Sequence, residues 1–139
     1  MAAATGAGAA APPVRSGEKP WTEAELKKVR QELQTEIAGL IADISNAESA
    51  IADRLGDAVG DAGDDQADAG AKTFQREREL ALTQNARELL ELSERALARM
   101  DDGSFGVCDS CGQAIGKARL QAFPRATLCL KCKQREERR

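Results

Sequence analysis

Four cysteines hold the chemistry this sequence can do. Cys108 and Cys111 form one C-x2-C pair and Cys129 and Cys132 another, with seventeen residues between the pairs. That spacing belongs to the class read as a zinc site. Two residues between cysteines allow a tight turn that aims both sulfurs at one point, about 2.3 Å from the metal, and two such turns complete a tetrahedron. Gly106 and Gly112 suit the tight backbone around the first turn. With all four positions filled by thiolates there is no place for a reactive water, so one structural Zn²⁺ is expected. The competing readings are two disulfides or a redox C-x-x-C. Four thiolates on Zn²⁺ leave a formal charge of −2, which Lys117, Arg119, Lys131 and Lys133, close in sequence, are placed to offset.

Other chemistries are excluded by what is missing. The 139 residues contain no histidine, so Ser-His and Cys-His nucleophiles and His-ligated metals are out. The net charge of −3 gives no general attraction to nucleic acid. No stretch is long and apolar enough to span a membrane. The opening MAAATGAGAAAPP lacks the basic start and bulky apolar core of a signal peptide. A cytoplasmic location is expected, where thiols stay reduced and paired cysteines favour metal over disulfides.

The elements that position the cysteines are helical. Charged residues make up 31% of the chain, Ala and Leu are abundant, and there are only three Phe, one Trp and no Tyr, a composition of long amphipathic helices. Residues 1–19, mostly Ala, Gly and Pro, read as a disordered extension. Order begins at Trp21-Thr22: Thr22 and Glu25 form a T-x-x-E capping box, with Trp21 and Leu26 spaced as its hydrophobic staple. Apolar residues then recur at Leu26, Val29, Leu33, Ile37, Leu40, Ile44, Ala47, Ile51 and Leu55, a heptad seam that predicts a helix over about 22–56. The stretch 56–70 holds four glycines and five aspartates and no basic residue, and reads as an acidic hairpin tip. A second seam at Leu82, Ala86, Leu89, Ser93, Ala96 and Met100 predicts a helix over about 66–101, stopped at Asp101-Asp102-Gly103. The expected architecture is mainly α: a long antiparallel coiled-coil hairpin over 20–102, then a small C-terminal four-cysteine zinc finger over 103–139 with a short terminal helix. At 1.5 Å per residue, helices of about 34 residues reach roughly 50 Å.

The run Gly103-Ser-Phe-Gly-Val-Cys-Asp-Ser-Cys-Gly-Gln-Ala-Ile-Gly-Lys-Ala-Arg-Leu120, followed by Phe123-Pro124 and Leu128-Cys-Leu-Lys-Cys132, resembles the C4 zinc finger of the DksA/TraR family. A coiled-coil hairpin before the finger is that family's architecture, so the resemblance covers roughly residues 22–139. It implies a monomeric regulator that binds bacterial RNA polymerase and inserts its hairpin into the secondary channel. It places the family's tip motif, D-x-x-D-x-A, at Asp65, Asp68 and Gly70, the last lacking the alanine methyl. It also implies that basic side chains with which the family's best-known member binds the alarmone ppGpp are replaced here by Leu92 and Phe123, while Lys133 matches. Weak or absent ppGpp synergy is therefore expected.

The leading expectation is a non-enzymatic transcription regulator whose tip carboxylates act near the polymerase catalytic centre, in a confined channel where charges are felt more strongly than in water. One alternative is a cleavage-type elongation factor, with Asp65 and Asp68 holding a Mg²⁺ that promotes transcript hydrolysis. The other is a DNA-binding zinc finger, which would need a basic reading face that this acidic chain lacks.

Overall fold

The structure is a computed structural model and describes residues 11–59 and 66–138. Its elements are α1 (Glu23–Val59), α2 (Gln66–Asp102), α3 (Lys117–Ala122) and α4 (Leu130–Glu137). The two long helices pack as a hairpin. A lone antiparallel bridge joins Val107 to Ala114. Among the described residues no helix is long and apolar enough to cross a membrane.

The local signals act as their chemistry requires. At the start of α1, Glu25 N–H donates to Thr22 Oγ1 (3.1 Å) and Thr22 N–H donates back to Glu25 Oε1 (2.9 Å). This reciprocal box satisfies two donors that the first helical turn leaves without partners. At the end of α2, Gly103 takes φ +86°, and the N–H groups of Gly103, Ser104 and Phe105 all converge on the Arg99 carbonyl. A left-handed residue just past the helix is where glycine avoids a Cβ clash. α1 continues to Val59, past the break expected at Gly56, because a glycine lowers helix propensity without abolishing it.

The chain divides into two compact units, Ile37–Glu91 and the remainder. In Ile37–Glu91 the seam residues Ile37, Leu40, Ile44, Ala47 and Ile51 are half-buried, since two helices alone cannot enclose a seam, and Leu55 is exposed. On α2 the predicted seam holds from Ala86 to Met100 and needs correction at its first position. Leu82 is exposed, and Thr83 occupies the buried position, its hydroxyl donating to the Glu79 carbonyl at 2.9 Å. Phe74 is also exposed. Arg54–Glu79 and Arg87–Glu48 ion pairs join α1 to α2. Such surface pairs are each worth about 0–1 kcal/mol, so they fix register more than stability.

The second unit holds the closely packed core. Trp21, Val29 and Leu33 meet Ala96, Phe105, Ile115, Leu120 and three of the cysteines, and all of these are buried. Burying an aliphatic side chain such as Leu33 or Leu120 contributes about 1.5–3 kcal/mol. The finger is therefore seated on the adjoining turns of α1 and α2.

Residues 11–19 correct the expectation of a disordered extension over 1–19; residues 1–10 lie outside the described residues. Val14 packs against the core, and Arg15 Nη1 donates to the Ala114 carbonyl at 2.8 Å. The segment has few apolar residues, but it is ordered by polar groups of the finger that would otherwise lack partners.

Candidate metal centre

Each cysteine pair sits in a different local structure. Cys108 follows Gly106 (φ +89°) at the Val107–Ala114 bridge. Cys108 N–H donates to the Gln113 carbonyl (2.8 Å), and Gly112 N–H, at φ +74°, closes the turn onto the Cys108 carbonyl (3.0 Å). These bonds fold the chain back between Cys108 and Cys111. The other pair lies at a helix start: Cys129 is the N-cap of α4 and Cys132 is in its first turn. A helix N-terminus favours negative charge, which suits thiolates.

The four sulfurs all lie within 4.8 Å of one another. Cys111 Sγ and Cys129 Sγ are 3.8 Å apart. A tetrahedron with metal–sulfur bonds of about 2.3 Å has edges of about 3.8 Å, so the donor set fits a zinc ion. The cysteines are not cross-linked; Cys108, Cys129 and Cys132 are buried and Cys111 is exposed. This geometry supports the metal reading over paired disulfides. The four cysteines are positioned to hold one metal ion, and an all-thiolate tetrahedral set is the donor set of a structural zinc.

The protonation of these thiols follows from crowding. Burial pushes Cys108 up, but N–H donors from Cys111, Cys129 and Ser110 outweigh it and bring the thiol down to about 6. The Cys132 N–H lowers Cys129 against a smaller effect of burial. Ser110 pulls Cys132 down, but burial and the three neighbouring sulfurs win and raise it to about 11. Four thiolates in one small volume cannot all ionise without a cation, which is the role a metal fills.

The cations expected to balance this charge are partly engaged elsewhere. Lys117 Nζ pairs with Glu25 at 2.6 Å and donates to the Pro20 carbonyl. Arg119 donates to the Leu128 carbonyl and lies 5.9 Å from the Phe123 ring centre. Lys133 faces Glu137 at 3.9 Å. The donors that favour the thiolates are backbone N–H groups, which residue types in a sequence do not reveal.

Several positioning residues also escape sequence patterns. Glu36 accepts from the buried Ser93 hydroxyl on α2 (3.1 Å) and pairs with Arg125 of the finger. Arg99 pairs with Asp109, next to the first cysteine, at 2.8 Å. Glu18 accepts from the backbone of Lys117 and Ala118. The only sequence signal for them is charge at solvated positions, which is too common to select them.

The other predicted site residues are not part of this cluster. Asp65 lies outside the described residues. Asp68 is exposed in the first turn of α2, and Gly70 is exposed close behind it. A Cβ built at Gly70 meets nothing within 4 Å. Leu92 and Phe123 are exposed, at 36% and 62%.

Comparison with known proteins agrees with this geometry. Residues 103–138 match the family model of the prokaryotic dksA/traR C4-type zinc finger. A protein of Caulobacter vibrioides named RNA polymerase-binding transcription factor DksA is 40% identical over 75 residues, covering 54% of this chain and 53% of that protein. The Escherichia coli K12 protein of the same name is 39% identical over 69 residues, covering 50% and 46%. The chain thus spans about half the length of the curated relatives it matches. The solved structure of transcription factor DksA2 from Pseudomonas aeruginosa aligns with a TM-score of 0.68 and 31% identity, over 84% of this chain and 85% of that one. With both the hairpin and the four-cysteine finger shared at that identity, this chain belongs to the DksA/TraR family.

Proposed function

We propose that this protein is a cytoplasmic transcription regulator that acts by binding bacterial RNA polymerase. The observation that carries this reading is the likeness to DksA2 over more than four-fifths of both chains, joined to curated relatives named for polymerase binding. In this reading the hairpin enters the secondary channel and presents Asp65 and Asp68 near the catalytic centre. The zinc cluster is structural, and the chain is not itself an enzyme. A stiff helical pair suits such a channel, because a loose peptide would lose more conformational freedom on entry. Exposure of Asp68 in the first turn of α2 supports its role as a contact.

The same reading gives ppGpp little purchase on this protein. Leu92 and Phe123 offer no charge to a phosphate, and Lys133 already faces a carboxylate.

The test is in vitro transcription with purified polymerase, comparing the wild type with Asp65→Asn/Asp68→Asn. The double variant should still compete for polymerase but lose the effect on open complexes. Equal effects of the two proteins, with no competition for the secondary channel by either, would overturn the proposal. Shortened transcripts from stalled elongation complexes would point to the cleavage-factor reading.

A further inference from the structure

The segment before α1 reaches the metal-binding finger through a compact set of polar contacts. Glu18 accepts three backbone N–H groups: Arg15 (2.8 Å) and Lys117 (2.9 Å) on Oε1, and Ala118 (3.0 Å) on Oε2. Lys117 and Ala118 open α3, whose own N-cap, Gly116, has no side chain to offer. A carboxylate about a hundred residues away in sequence therefore caps this helix, and the N–H donors hold Glu18 below the usual carboxylate range. Arg15 donates to the Ala114 carbonyl, and its Cδ lies 3.1 Å from where a Gly116 Cβ would stand. Pro12 fills the space over Gly106 in the same way.

The polar partners of this segment elsewhere in the chain lie on the stretch that the cysteines shape. Gly106 and Ala114 flank the first cysteine turn through the Val107–Ala114 bridge and the Ile115–Gly106 hydrogen bond. The Lys117 and Ala118 amides follow directly. Without a metal, the two cysteine turns lose the ion that ties them together, and these backbone groups are held by the packing of Phe105, Ile115 and Leu120 alone. Without the segment, the N–H groups at the start of α3 lose their acceptor.

We propose that residues 11–20 form a strap whose docking is coupled to metal binding, with Glu18 and Arg15 as its positioning residues. Metal loading arranges the receptor backbone and so orders the strap. The strap, by capping α3, tightens the metal site in return. Because linkage is reciprocal, each event strengthens the other by the same factor. The strap leads directly into Trp21 and the capping box of α1, so metal occupancy is felt at the first turn of that helix.

Two readouts on the full chain test this. The first is Zn²⁺ affinity, measured by competition with a chromophoric chelator at fixed pH. Glu18→Ala should weaken it by about 5- to 30-fold, within the usual range of coupling between sites. Glu18→Gln keeps acceptor oxygen and should fall between, while Lys19→Ala, an exposed change within the strap, should bind as the wild type does. The second readout is tryptic cleavage of the Arg15–Ser16 bond, followed by mass of the released N-terminal fragment. Cleavage should be slow with Zn²⁺ bound, fast after chelation, and fast in Zn²⁺-loaded Glu18→Ala. Should Glu18→Ala bind Zn²⁺ within about twofold of wild type, or should Arg15–Ser16 be cut equally fast with and without the metal, the coupling does not exist. Preserved far-ultraviolet helicity in the variants ensures that a weakened affinity reports the finger, and Arg15→Ala supplies a second disruption with the same expected direction.

Discussion

Gly106 and Gly112 separate two costs that are usually mixed. Both have backbones in the left-handed region, at φ +89° and +74°. Replacing either with alanine forces a Cβ into that conformation, costing about 1–2 kcal/mol. They differ in surroundings. A Cβ on Gly106 would stand 3.0 Å from Pro12 Cβ and 3.3 Å from Leu120 Cδ1, whereas one on Gly112 meets nothing within 4 Å. Leu120 is fully buried and cannot move aside, so Gly106→Ala adds an overpacking cost of about 1–3 kcal/mol. Folding of the finger and metal binding are one equilibrium, and each 1.4 kcal/mol is about tenfold in affinity. Gly112→Ala should then weaken apparent Zn²⁺ affinity by about 5- to 30-fold, and Gly106→Ala by about a further 5- to 150-fold. Chelator competition measures both. Pro12→Gly, which removes the nearest clashing carbon, should restore part of the loss in Gly106→Ala and none in Gly112→Ala. Equal losses for the two alanine variants, or equal recovery on adding Pro12→Gly, would refute the packing argument.

Three further outcomes follow from single side chains. The Trp21 indole N–H is buried with no hydrogen-bond partner among the described residues, and its ring meets Phe105 edge-on at 6.1 Å. Trp21→Phe, which deletes the orphaned donor and keeps a ring, should cost less than about 1.5 kcal/mol, against about 3–5 for Trp21→Ala, by urea unfolding of the metal-loaded protein. Thr22→Ala removes the acceptor for the Glu25 N–H and should cost about 1 kcal/mol in the same assay. Gly70→Ala enters open space in a helix and should raise helicity and stability by about 0.5–1 kcal/mol; a loss of helicity by circular dichroism would contradict the open surroundings.

What could be read from the sequence was what depends on near neighbours. The first C-x2-C turn, the T-x-x-E box and the Gly103 stop each involve residues within a few positions of one another, and all three have their expected forms. The α2 seam departs from expectation at Leu82 alone, because hydrophobicity ranks leucine above threonine. Thr83 can occupy the buried place because its hydroxyl is satisfied within its own helix, which period counting does not weigh. The segment 11–19 departs from the expected disorder for a different reason. Its composition cannot support a core of its own, and that remains true. Its order comes from amides about a hundred residues away, which no local window contains.

Charge around the metal is also less local than sequence spacing suggests, and Lys117 shows why. Proximity in sequence to Cys111 suggested a counter-ion for the thiolates. The structure gives its ammonium to Glu25 and to the Pro20 carbonyl, and places it 6.0 Å from the Trp21 ring. Its electrostatic work is done on Glu25, whose carboxyl is held down to about 2, first by Lys117 and then by the Thr22 N–H. A carboxylate with a depressed folded value stabilises fully above its ordinary value of 4.5 and loses that contribution as pH falls towards 2. Between about pH 7 and 5 the pair should therefore be constant, a range above Glu25's ordinary value. In Lys117→Gln the Glu25 value should rise, stopping short of normal because the Thr22 N–H remains. The carboxyl carbon shift of Glu25, followed by nuclear magnetic resonance as pH falls from about 5 towards 3, should then begin to move at a higher pH in the variant than in the wild type. Equal midpoints in the two proteins would mean that Lys117 does not hold this carboxylate.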